Sequence, residues 1–422
     1  MRSEAKSRRQ VAGSKVEKLG LCLFLLGIAF IAMGPACPMG DEIEKNYYTT
    51  NITSGSSGNT TVTPTPFAMV SGGREYTMAV RDDGTLWSSG CAVGVLTGEG
   101  TQYSLTQIAP DTDWQAIACG EDHALALKTD GTLYAWGQNN NGQLGLGDTA
   151  QRYAPIQVGT DTDWVEVAAG RDHSLARKSD GTLYAWGWNI NGQLGLGHTT
   201  TPINTPTLVS GTSWTAIAAG FGHSVAISTT GSTHQLWACG SDNFAQLGQE
   251  AAGTSSTTFT QVGTDTDWSK IAVGTTASNT LALKTTGTLW GWGYNVNYEI
   301  GLGYNTSPIT MPLQIGTDID WVEIVAGNTN GFARKSNGAI WALGKNDIGQ
   351  CGLGHTDTPV ITPTQLVLTG WSSIGGAYNT GYAIMSDGTV WGWGYGLGWE
   401  LASGDFDIKY NVPAPIRLNS WD

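Results

Sequence analysis

The chain has 422 residues, more than one ordinary domain of about 100–200 residues holds. Only 13% of the residues are charged, while 59 are glycine and 18 are tryptophan; apolar material for a core is ample, which excludes wholesale disorder, and no G-X-Y period supports a collagen. With 21 basic and 35 acidic side chains the formal charge is −14, which argues against a body that tracks nucleic-acid phosphates.

Residues 1–18 carry Arg2, Lys6, Arg8, Arg9, Lys15 and Lys18 against Glu4 and Glu17, and Leu19 to Met33 is an uncharged, mostly apolar run. Gly34-Pro35-Ala36-Cys37 follows. A basic region, a short apolar region and a small-residue exit predict a secretory signal over residues 1–36. The run falls short of the ~20 residues that span a bilayer, so a membrane tether through the N-terminus is the second choice. Arg8-Arg9 partly matches a twin-arginine signal. Cys37 is a candidate for lipidation, although the leucine of a lipoprotein cleavage box is missing from Gly34-Pro35-Ala36. Cleavage takes away six basic and two acidic side chains and leaves a net charge of −18. Residues 37–66, rich in Ser, Thr, Asn and Gly, read as a flexible stalk.

From residue 67 to 422 the chain repeats itself. An aromatic followed six residues later by a small residue recurs at Phe67, Trp114, Trp164, Trp214, Trp268, Trp321 and Trp371, with Trp421 starting an eighth copy. A turn glycine follows each of the seven, at Gly84, Gly131, Gly181, Gly231, Gly287, Gly338 and Gly388. The alternation of His123-Ala-Leu-Ala-Leu-Lys around Asp130-Gly131 predicts two strands joined by a two-residue hairpin. Helical periodicity is lacking. Four short strands in each of seven units of ~50 residues predict an all-β, seven-bladed β-propeller.

Gly170–His173, Asp180–Gly187 and Asn189–Gly197 resemble the repeat of the regulator of chromosome condensation family. The resemblance covers residues 67–422 and implies the same propeller. It also implies two activities for comparison: nucleotide exchange on a small GTPase, as in the founding member, and inhibition of a β-lactamase by a secreted bacterial member through an aromatic-rich face. The family's plant UV-B photoreceptor relies on Gly-Trp-Arg-His-Thr; the matching stretches here are Gly120–His123 and Gly220–His223, so photoreception is not expected.

Most tryptophans fall on repeat columns and read as core. His123, His173 and His223 share a column occupied elsewhere by Tyr76, Asn279, Asn330 and Thr380, the behaviour of a buried hydrogen-bonding slot and not of converging zinc ligands. The Asp-x-Asp pairs at Asp111/Asp113, Asp161/Asp163, Asp265/Asp267 and Asp318/Asp320 lack a full calcium loop and read as turn residues that cap backbone N–H groups. Cys91, Cys119, Cys239 and Cys351 are scattered over four repeats and read as small hydrophobes, not a disulfide framework. No catalytic constellation or cofactor motif emerges, so neither an enzyme, a cofactor nor a metal is expected.

Equivalent residues of a propeller lie on one face. The position after Trp-Gly therefore forms a ring that includes Trp188, Tyr294 and Tyr395, with Tyr298, Tyr304 and Trp399 in the same loops. Aromatics on a rigid scaffold suit a protein interface. The expectation is an exported, non-enzymatic scaffold that presents a rigid acidic propeller to a protein partner, with no nucleic acid. Nucleotide exchange is the alternative, opposed by the acidic body and by a basic tail that leads into an apolar run.

Overall fold

In the computed structural model, residues 65–90, 102–211, 213–396, 401 and 408–416 are described. The candidate lipidation site Cys37, the proposed signal and all of the stalk except Thr65 and Pro66 lie outside them, as do Trp399 and Trp421. Within the described residues there are seven four-stranded antiparallel sheets and no helix. Each sheet is built from four consecutive strands, so the seven-bladed β-propeller read from the repeats is the fold. The blades span residues 67–107, 114–157, 164–209, 214–261, 268–314, 321–365 and 371–415.

Blade 2 shows the pattern: an inner strand Trp114–Cys119, a second His123–Lys128, a third Leu133–Gly137 and an outer Arg152–Gln157. The second strand is buried at every residue, because both of its faces pack on neighbouring blades. Inner strands of successive blades pack around a central cavity of about 340 Å³, lined among others by Met69, Cys119, Ala219 and Glu323. Among the described strands none is exchanged between blades 7 and 1, where the ring closes. Phe67 N donates to Gly388 O, and Thr77 Oγ1 donates to the Tyr382 hydroxyl at 2.6 Å.

The column tryptophans make the core. Trp114, Trp164, Trp214, Trp268, Trp321 and Trp371 end up buried, each packed edge-on against an aromatic of its own third strand, as Trp114 is on Tyr134 at 5.1 Å. Outer strands form the rim of the ring; five accept one backbone hydrogen bond from a loop of the preceding blade, as Asn204 O does from Gly147 N at 2.9 Å, and five of the seven carry a proline that cannot donate to a neighbour: Pro155, Pro206, Pro312, Pro363 and Pro413.

The hairpin differs from its expectation. Three residues, Thr129-Asp130-Gly131, separate the last pair, in which Lys128 N donates to Thr132 O at 3.1 Å. The Asp130 carboxylate accepts from Thr132 N and Thr132 Oγ1, and Gly131 takes φ +79°, a conformation that glycine adopts without strain. Only blade 4 has the two-residue form, with Thr230 paired to Thr233 around Gly231-Ser232.

Candidate partner-binding face

Antiparallel order places the inner-to-second and third-to-outer connections of every blade at one end of the ring. The residue after each Trp-Gly is tied to the first of these: Gln138 N donates to Asp122 O, Trp188 N to Asp172 O and Tyr294 N to Ser278 O, all within 3.0 Å. Of the aromatics read from this column and its loops, Trp188, Tyr294, Tyr298 and Tyr395 are half-buried and Tyr304 is exposed. The Arg171 guanidinium lies 5.8 Å from the Trp188 ring and 4.7 Å from Phe221, and Tyr294 packs edge-on against Phe244 at 5.1 Å. Tyr395 lies under Lys409 Nζ, in blade 7, away from that group in sequence and blade number.

The sequence reading missed several apolar groups in the same connections. Ile190 is 55% exposed, Phe244 43% and Val296 49%, and Phe221 is half-buried beside Arg171. Ile190, Phe244 and Val296 fall two or three residues from the column that was read, where the repeats vary, and Phe221 lies in the inner-to-second connection. Tyr298 has φ +61°, at the turn position filled by Gly142, Gly192 and Gly349 in three sister blades.

The third-to-outer loops are held from below, by an asparagine in blades 2, 3, 5 and 6 and by Asp242 in blade 4, where it accepts from Leu247 N at 3.0 Å. Asn139, Asn189, Asn295 and Asn346 are each buried; each accepts a backbone N–H through Oδ1, as Asn295 does from Ile300 at 3.1 Å, and donates through Nδ2 to the loop's own carbonyls, as Asn295 does to Tyr304 O at 2.9 Å. Neighbouring blades are stitched in the histidine column. His123 Nε2 lies 3.0 Å from Ser174 Oγ of the next blade, His173 Nε2 2.9 Å from Ser224 Oγ, and both hydroxyls donate to glutamine carbonyls, Gln143 O and Gln193 O. Because the serine proton is spent there, Nε2 donates and each imidazole is neutral; burial lowers the three histidines to about 3.

A charged network runs over the connections of blades 1 to 3. Arg74 pairs with Glu121 at 3.2 Å and Asp122 at 2.7 Å, and Arg171 pairs with Glu121 at 2.9 Å and Asp172 at 3.2 Å. Burial pushes Asp122 up to about 6 and raises Asp172 as well, despite the guanidinium beside each.

The opposite end corrects one expectation. The Asp-x-Asp pairs hold a lysine instead of capping turns: Lys178 Nζ lies 2.7 Å from Asp161 and 3.0 Å from Asp163, and Lys128, Lys284 and Lys335 repeat the arrangement. Each ammonium also stands 4.8–5.0 Å from its inner-strand tryptophan ring. Cys119, Cys239 and Cys351 are buried free thiols.

Family models described as "Regulator of chromosome condensation (RCC1) repeat" match residues 130–177 and 180–227, and again 114–143 and 164–193. The matches lie within residues 114–227, about a quarter of the chain. The chain is 36% identical to the Xenopus laevis protein RCC2 homolog over 102 residues, 24% of this chain and 20% of that protein. It is 25% identical to the human regulator of chromosome condensation over 143 residues, 33% of each. A mouse E3 ubiquitin-protein ligase, HERC2, is 30% identical over 36% of this chain but only 3% of its own length. The matched stretches thus span a third or less of these relatives. Among solved structures, Saccharomyces cerevisiae Prp20p superposes with a TM-score of 0.65 at 21% identity, covering 74% of this chain and 80% of that one. Human WBSCR16 gives 0.68 at 19%, covering 82% and 94%. At such identities the likeness of these structures to the ring of this chain is one of fold.

Proposed function

We propose that this chain is an exported, non-enzymatic scaffold that binds a protein partner through the end of the ring carrying Trp188, Phe221, Phe244 and Tyr294. The observation that carries the reading is the arc of exposed and half-buried apolar side chains over blades 3 to 5, Ile190, Phe244 and Val296 included, these three on loops fixed by buried Asn189, Asp242 and Asn295. Rigid loops lose little conformational freedom on association, and aromatic anchors in such loops dominate interface energies. Export rests on the basic region, apolar run and small-residue exit of residues 1–36. One protein of the same fold, yeast Prp20p, is described with protein partners in two structures, with Gsp1p and histones in one and bound to Kap60 in the other, which supports protein binding as a use of the fold.

Photo-cross-linking in the native cells tests this. p-Benzoylphenylalanine at Tyr294 is expected to yield a discrete protein adduct in an exported fraction, and the same group at Asp318, at the opposite end, none. Equal labelling from both positions, or none from Tyr294, would overturn the choice of face. An adduct with a cytosolic small GTPase would replace the scaffold reading with nucleotide exchange.

A further inference from the structure

We propose that the network of Arg74, Glu121, Asp122, Arg171 and Asp172 receives one arginine or lysine side chain that a protein partner inserts beside Trp188 and Phe221. The inference rests on the partner-binding reading of this face and adds the chemistry of what binds there.

The argument starts from a count of charges. Three carboxylates share two guanidiniums in direct ion pairs, Glu121 bridges both, and the Glu75 carboxylate also acts on Arg74. All five side chains are largely shielded, between 10% and 29% exposed, so water does not fully screen the surplus negative charge. Burial is the larger cause of the raised Asp122 and Asp172 carboxyls, and the neighbouring Glu121 carboxylate adds to it in both. A third cation would offset this surplus of negative charge. Charge complementarity of this kind sets partner choice and orientation.

The surroundings say what should carry the cation. Arg171 shows that a guanidinium fits between the Trp188 and Phe221 rings while it reaches Glu121 and Asp172. Ile190, two residues from Trp188, stands 55% exposed. A free inorganic cation would leave these apolar surfaces wet. An arginine or lysine flanked by apolar residues on a partner protein covers them and supplies the charge with the same side chain.

The test uses the described ring with its stalk, labelled with 5-fluorotryptophan, with the Trp188 resonance assigned by its loss in Trp188→Phe. The probes are N-acetyl-arginine amide, N-acetyl-lysine amide and, as the neutral control, N-acetyl-glutamine amide. The cationic probes are expected to shift the Trp188 resonance saturably, with a dissociation constant on the order of 1 mM at low salt. The glutamine amide is expected to leave it in place. Asp172→Asn should weaken the arginine probe about fivefold. Glu121→Gln, folding checked by its remaining fluorotryptophan resonances, serves as the second variant. Equal shifts from the neutral probe, or unchanged binding in both variants, would overturn the inference, and the adduct expected at Tyr294 would stand or fall by itself. Concentration-dependent dimers that the arginine probe dissociates would also overturn it, because the cation would then come from a second copy of this chain.

Discussion

Lys178 stands 5.0 Å from the centre of the Trp164 ring while its ammonium touches Asp161 and Asp163 at 2.7 and 3.0 Å. The lysine stem covers the ring and the charge is held at the rim, so one side chain seals the edge of the blade and joins two loops. The carboxylates are about half exposed, so solvent screening keeps the worth of the clamp small.

Lys178→Met is therefore expected to destabilise the ring by only about 1 kcal/mol. The triple variant with Asp161→Asn and Asp163→Asn should cost no more than the lysine change alone, since all three groups make one interaction. Urea unfolding midpoints of the single and triple variants check this; additive losses would show that the aspartates have separate partners.

The buried histidines make stability depend on pH. In the unfolded chain a histidine takes its proton near pH 6.5, whereas His123, His173 and His223 resist until about pH 3. The unfolded state then binds more protons between those values, so stability is full above pH 6.5 and falls as the pH drops towards 3. Each histidine should contribute a slope of up to about 1.4 kcal/mol per pH unit. His173→Asn, the residue found at Asn279 and Asn330 of the same column, should lower by about one the protons taken up on unfolding near pH 4.5. An unchanged proton uptake would place the acid sensitivity elsewhere.

Gly131 and Gly231 occupy the same column with φ +79° and +63°, but only the first is crowded. A Cβ on Gly131 would fall onto the carbonyl of Thr162, whereas nothing lies within 4 Å of one on Gly231. Gly231→Ala should cost about 1 kcal/mol, the price of the left-handed backbone alone. Gly131→Ala should cost roughly 2–3 kcal/mol, because strain and a backbone clash combine. Chemical denaturation of the two variants separates the terms, and equal losses would deny the crowding.

Tyr298 holds a left-handed conformation that three sister repeats give to glycine and blade 4 gives to Ala245. Tyr298→Gly should therefore stabilise the ring by about 0.5–1 kcal/mol and, if the tyrosine serves the interface, weaken the cross-link formed at Tyr294. A thermal melt and the cross-linking yield are the two readouts. Loss of stability would mean that the side chain is needed for packing.

What the sequence discloses depends on whether a contact lies inside one repeat. Trp114 on Tyr134 and Trp164 on Tyr184 are contacts within a blade, and their columns are enough to assign them to the core. The pairing of His123 with Ser174 joins different blades, and the repeat alone does not say that position 123 of one unit faces position 174 of the next. The lysine clamp was legible but went unread: Lys128, Lys178, Lys284 and Lys335 occur in the four repeats that also have Asp-x-Asp, and blade 4 has Ser228 and no such pair. The turn at Asp130-Gly131 was misjudged by one residue, since the Asp130 carboxylate takes the Thr132 amide and thereby lengthens the loop. The apolar arc is the hardest to read, because exposure of Ile190, Phe244 and Val296 is set by how far each loop stands off its neighbours.

Closure of the ring with none of the described strands exchanged has a consequence for how such a molecule can change in number. The join between blades 7 and 1 is made by side-chain packing and a few backbone hydrogen bonds, like the other six. No sheet is cut when the chain is opened at any join, so a circular permutant that starts at Trp164 or Trp321 keeps every four-stranded sheet whole. Duplication or deletion of one unit of ~50 residues likewise leaves each remaining sheet intact and alters only the circumference.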